Sequence, residues 1–177
     1  MSRRVLFAVF VLCTSVVAKA ADTPKAIADG FYQAVISLNE GGIPDSAGRA
    51  RLVPFISPSL TQALASANEA ALAYAHNSRH AVPPLLEGNI FVSLFDGVSA
   101  ARVGHCVSRQ ARAVCPAALS YLNAAGQTYH WQDKLVLTHT EGGWRVDNVI
   151  YGGGVPYANQ GTLKSNLAFA LANARGR

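Results

Sequence analysis

The chain has 177 residues, half of them hydrophobic and 14% charged, with a formal charge of +5. That length suits one domain with its own core, and that composition excludes a disordered or low-complexity chain. The cations form no stripe interleaved with aromatic residues, which argues against a nucleic-acid-binding protein.

Residues 1–20 read as a secretory signal. Arg3 and Arg4 form a basic start, Val5 to Val17 is apolar, and Ala18-Lys19-Ala20 offers a small-residue cleavage site. A lipoprotein centred on Cys13 is the competing reading, but Leu12 stands where a small residue is expected. The segment is too short and wrongly flanked for a membrane anchor, and no other stretch is long and apolar enough to span a bilayer. Cleavage near Ala20 predicts an exported protein, periplasmic or secreted, with residues 21–177 as a single domain. Arg3, Arg4 and Lys19 leave with the signal, so twelve cations remain against ten acids.

In chain order, Ile27, Phe31, Val35 and Leu38 recur at helical spacing. They predict an amphipathic helix over 24–38 with Thr23 as N-cap, Pro24 at its first position and Gly41-Gly42 beyond its end. Asp45 to Val53 reads as a short helix or turn, limited by Pro54. Leu60, Leu64, Ala67, Ala71 and Tyr74 predict a longer helix over 59–75. Ala81 to Leu86, with Pro83-Pro84, reads as a non-helical crossing.

From Ile90 the pattern changes to strands. Ile90 to Leu94 predicts a short strand stopped at Asp96-Gly97. Ala101 to Ser108 and Ala113 to Leu122 predict a hairpin turning at Gln110-Ala111, which places Arg109 opposite Arg112 and Cys106 opposite Cys115. With Cys13 removed, these two cysteines are an even pair in an oxidising compartment, and the pairing geometry permits a disulfide. No C-x-x-C is present, so the pair reads as a structural staple rather than a redox centre. Pro116 is awkward in a strand and implies an edge or a bulge. Asn123 to Gln127 is a turn.

Two alternating runs around Glu141-Gly142-Gly143 predict the central hairpin, Trp131 to Tyr151. Trp131, Asp133, Leu135, Leu137 and His139 share one parity. On the second run Trp144, Val146 and Ile150 share a parity that Val149 and Tyr151 do not. Gly152-Gly153-Gly154 reads as a flexible connector, and Leu163, Leu167 and Leu171 mark a C-terminal helix.

Helices first and an antiparallel sheet afterwards predict an α+β fold, with the N-terminal helices in the concavity of a curved sheet and a mouth between them. Phe31-Tyr32, Val53-Pro54-Phe55-Ile56-Ser57, Leu86-Glu87-Gly88-Asn89-Ile90-Phe91, Trp131-x-Asp133 and the run from Gly143 to Tyr151 resemble a family of exported bacterial domains of unknown function. That family belongs to the nuclear-transport-factor-two-like superfamily of cone-shaped α+β domains. The resemblance implies a fold and not an activity, because the superfamily includes enzymes, binding modules and protein partners.

Asp133 is the acid that matters most, since its parity points it inward with Trp131 and Leu135. A carboxyl there is a candidate general base; the structural alternative is a pairing with an arginine such as Arg102 or with a helix N-terminus. Trp131, Asp133, Tyr151 and Glu87 form the candidate pocket, with Tyr121 at the mouth, and Glu87 also suits a role tying the crossing segment to the sheet. His76 and His80 stand at i, i+4 but lack H-E-x-x-H, and His105, His130 and His139 are scattered over different strands, so no metal site is read. The short arginine pair Arg109 and Arg112 reads as solvated. G-x-S-x-G and phosphate-loop patterns are absent, and no cofactor is expected.

Two functional readings follow. The first is a non-catalytic binding module with a protein partner in the periplasm, such as a delivered toxin. The second is a small cone-pocket enzyme of isomerase or dehydratase type, with Asp133 as base and His130 or Tyr151 as polar helpers. His130 has the opposite parity to Asp133, which weakens that second arrangement. Oligomeric state is left open.

Overall fold

A computed structural model describes residues 22–39, 41–77 and 87–175. The expected signal peptide, His80 and the Pro83-Pro84 crossing lie outside the described residues.

Helix α1 (Pro24–Leu38) begins as expected, with the Thr23 hydroxyl accepting from Ala26 N at 3.2 Å. It ends at Asn39, whose left-handed conformation (φ 48°) terminates it before the glycines. Helix α2 (Ser46–Leu52) is capped by Asp45, and helix α3 (Pro58–Asn77) by Ser57, whose hydroxyl accepts from Leu60 N at 3.0 Å. Five strands follow: β1 (Ala100–Val103), β2 (Val107–Arg109), β3 (Arg112–Leu122), β4 (Thr128–Thr140) and β5 (Gly143–Ile150). Helix α4 (Leu163–Arg175) closes the chain. The class is α+β: a curved, open antiparallel sheet with helices packed against it and a short helix at the end.

The sheet runs β1-β3-β4-β5, with β2 joining β3 beyond the end of β1. Alternation along β3 and β4 buries Ala113, Cys115, Ala117 and Leu119 together with Trp131, Asp133, Leu135 and Leu137. Helix α1 packs Phe31, Tyr32 and Val35 on that inner face, and Leu60, Leu64, Leu163 and Leu167 extend the same core past β5. No described helix is long and apolar enough to cross a membrane.

Two irregularities decide the sheet's shape. Val103 pairs with Ala117 and Val107 with Val114, so three residues (104–106) face only two on β3. The single strand expected over 101–108 is therefore two strands split by a bulge. Pro116 is opposite the bulge, and its carbonyl accepts from Gly104 N at 2.7 Å. Backbone groups of one antiparallel residue point the same way, so the missing proline N–H falls where the ladder is already broken. Cys106 and Cys115 close the bulge with the expected disulfide, at a Cα separation of 4.2 Å.

The second bulge is at Asp147, where Val136 faces Asn148 but Leu137 faces Val146. One extra residue reverses the alternation, so Val146 and then Val149 and Tyr151 all point inward while Ile150 turns out. This explains the mixed parity of the second run. The expected strand over 90–94 does not form. Ile90 to Leu94 is a buried irregular segment, and side chains bond its backbone instead of a neighbouring strand: Asn159 Nδ2 donates to the carbonyls of Asn89 (2.9 Å) and Val92 (2.8 Å).

Candidate functional site

Three of the four expected pocket residues meet. Strand β4 turns Trp131 and Asp133 inward, and the β5 bulge turns Tyr151 inward beside them. The irregular segment supplies Ser93, which sequence reasoning missed because 90–94 reads as an ordinary apolar strand. Asp133 Oδ2 accepts from Ser93 N at 2.8 Å and from Trp131 Nε1 at 3.1 Å. Oδ1 accepts from the Ser93 hydroxyl at 2.5 Å and from Gly152 N at 2.9 Å. Four donors occupy the four acceptor positions of one carboxylate that is 1% exposed. No arginine and no helix N-terminus is among them, so the expected pairing with Arg102 is replaced by this cage.

Gly152 is the second missed residue. The triple glycine is no free connector at its start, since Gly152 N binds Asp133 and Gly153 N donates to the Ser93 hydroxyl at 3.1 Å. A Cβ at Gly152 would collide with the Gln132 carbonyl, so only glycine lets this backbone approach β4. Tyr151 donates its hydroxyl to Ile90 O at 2.6 Å, tying the irregular segment to the end of β5. Burial raises the Tyr151 hydroxyl well above its ordinary range, with the charge of Asp133 adding to it.

Tyr32, on α1, is 0% exposed, and among the described residues its hydroxyl has no hydrogen-bond partner. Burial raises it well above its ordinary value, and the charges of Asp133 and Tyr151 push in the same direction.

Glu87 is not part of this cluster. It is exposed and lines a separate trough of about 510 Å³ with Phe95, Asn159 and Phe169. Among the described residues its carboxylate makes no hydrogen bond. Tyr121 lines a cleft of about 380 Å³ between the end of α1, the 88–99 segment and the end of β3, which Tyr151 does not line. Asn89 and Phe95 form part of its wall, and Asp133 does not reach it. His130 and His76 are exposed, and His139 stacks edge-on to Trp144. No group of three metal-ligating side chains occurs among the described residues.

A polar cluster pins the far edge. Ser57 Oγ donates to Asp147 Oδ1 at 2.6 Å, and Lys164 Nζ reaches the same oxygen at 2.7 Å. Burial pushes the Asp147 carboxyl up, but the bonds from Lys164 and Ser57 and the charges of Lys164 and Arg112 outweigh it, leaving it below its usual value.

Fold and site together define an α+β domain whose buried acid organises its interior. The chain matches no protein-family model and no curated protein.

Proposed function

We propose that this chain is an exported, non-catalytic binding module of the nuclear-transport-factor-two-like type, which recognises a protein in an oxidising compartment. The observation behind this reading is the saturated Asp133 carboxylate. With four donors on it, the acid has no lone pair left to take a substrate proton, and its role is to fix Ser93, Trp131 and Gly152 in place. The Cys106–Cys115 disulfide supports export. A partner that is a toxin delivered into the periplasm is the concrete form of the reading. The test is a pull-down of the oxidised chain from envelope extract and from secretions of neighbouring strains. A stoichiometric protein partner is expected, and a clean blank would end the proposal.

The enzyme reading has one observation in its favour. The Tyr32 hydroxyl, without a partner among the described residues, is buried in an interior that also holds Asp133 and Tyr151. If a small substrate bonded to it there, Asp133→Asn would abolish turnover while the chain stayed folded; unchanged turnover would remove this reading.

A further inference from the structure

The outward face of the sheet gathers charges that are far apart in sequence. Outward positions of β1 to β4 bring Arg102, Arg109, Arg112 and Lys134 to one surface, all exposed. The only acid in these four strands is Asp133, and it points into the core. Among the described residues none of the four cations makes a hydrogen bond or an ion pair. Arg112 acts on the charge of Asp147 without bonding to it, and that carboxylate is already paired with Lys164. Arg109 stands directly opposite Arg112, an arrangement that costs stability unless something outside the chain relieves it.

Between the cations lies an apolar strip. Val107, Val114 and Val136 are paired in one row, and Pro116, Lys134 and Ile150 in the next. Val107 is 57% exposed, Val114 38% and Ile150 37%, so three branched aliphatic side chains face water on one sheet. An apolar centre with a charged rim is the anatomy of a protein interface. Beside it, Ala100 and Ala118 keep the floor of a depression of about 300 Å³ low, and Arg102, Ser120 and His130 line it. That depression offers a cation and two further polar groups to a carboxylate.

We propose that this outer sheet face docks an acidic protein surface, one that presents carboxylates around an apolar centre. The proposal rests on the binding-module reading and names its surface. A second copy of the chain does not fit, because two such faces would oppose like charges. A single-stranded nucleic acid is also disfavoured, since no outward position of β1 to β4 holds a Phe, Trp or Tyr on which a base could stack.

The test compares three forms of the full chain, secreted with the disulfide intact. They are the wild type, Arg102→Glu with Lys134→Glu on the face, and Lys25→Glu with Arg51→Glu away from it. Each is used to capture proteins from envelope and secreted extracts at low and high salt, and near-UV circular dichroism checks that each is folded. The expected result is an acid-rich protein held by the wild type and by the off-face control. The face variant should weaken its capture roughly tenfold or more, and high salt should weaken it in the wild type. A partner retained equally by the face variant overturns the docking surface and leaves the binding-module reading standing. No partner at all overturns both. Binding of a heparin dodecasaccharide or of phosphatidylglycerol vesicles through the same face, with no acidic protein captured, would also overturn the proposal.

Discussion

Ser93 gives Asp133 both of its hydrogen-bond donors, the backbone N–H at 2.8 Å and the hydroxyl at 2.5 Å, across 40 residues of chain. A segment without strand partners is thereby fixed to the middle of the sheet by one carboxylate. Replacing Asp133 with Asn puts an NH₂ group where only acceptors fit, facing N–H groups that then lose a partner. The expected loss is about 2–4 kcal/mol of stability, with Ser93→Ala costing about 1–2 kcal/mol. Urea unfolding of the two variants measures this, and an Asp133→Asn chain as stable as wild type would contradict the cage.

Gly152→Ala should be as damaging as a direct attack on the acid. The added methyl meets the Gln132 carbonyl, so the backbone must retreat and the Gly152 N–H to Asp133 bond is lost. Ala at Gly153 meets no atom but needs a positive φ (68°), so its cost is conformational and smaller, about 1 kcal/mol. Comparing the two unfolding midpoints separates close approach from backbone strain.

Reduction of Cys106–Cys115 opens a short loop, with a sequence separation of 9. Releasing it should cost about 2–3 kcal/mol, chiefly by freeing the unfolded chain. The double Cys→Ser variant should show the same shift and no further response to reductant.

Acid should loosen the β5 edge. The folded value of Asp147 is lowered from the ordinary 3.8, so the stability it contributes is present above that value and is lost as pH falls through the lowered one. Lys164→Met should raise the folded value and shrink this acid-dependent loss. Unfolding free energies at neutral pH and at about pH 2.5 test the sign.

Alkali acts through the buried tyrosines. Tyr32 and Tyr151 are raised above 10.0, so folded protein keeps their protons where the unfolded chain releases them. Stability contributed by the protonated hydroxyls is present below the unfolded value and falls as pH rises beyond about 10. Tyrosinate absorbance should therefore appear in two stages, exposed tyrosines first and these two only on unfolding.

Much of the fold was legible because local chemistry and tertiary structure agreed. Thr23 and Pro24 announce the start of α1, and the leucine spacing of α3 and α4 matches the faces they bury. Alternation in β4 identified Asp133 as inward, and hairpin register alone set Cys106 opposite Cys115. These signals lie within a few residues of chain, where period and pairing act directly.

What the tertiary structure alone decided lies at the breaks in periodicity. Alternation predicts one strand over 101–108, but a residue too many beside Pro116 splits it, and a bulge at Asp147 reverses the parity of β5. Ile90 to Leu94 has strand composition yet no strand partner, so its backbone bonds to Asn159 and its Ser93 to Asp133. Residues 93, 133 and 152 share no local pattern, and neither do the cations of the outer face. Hydrophobic period records which side of an element is buried; it holds no information on which distant hydrogen-bond donor or like charge will be placed beside it.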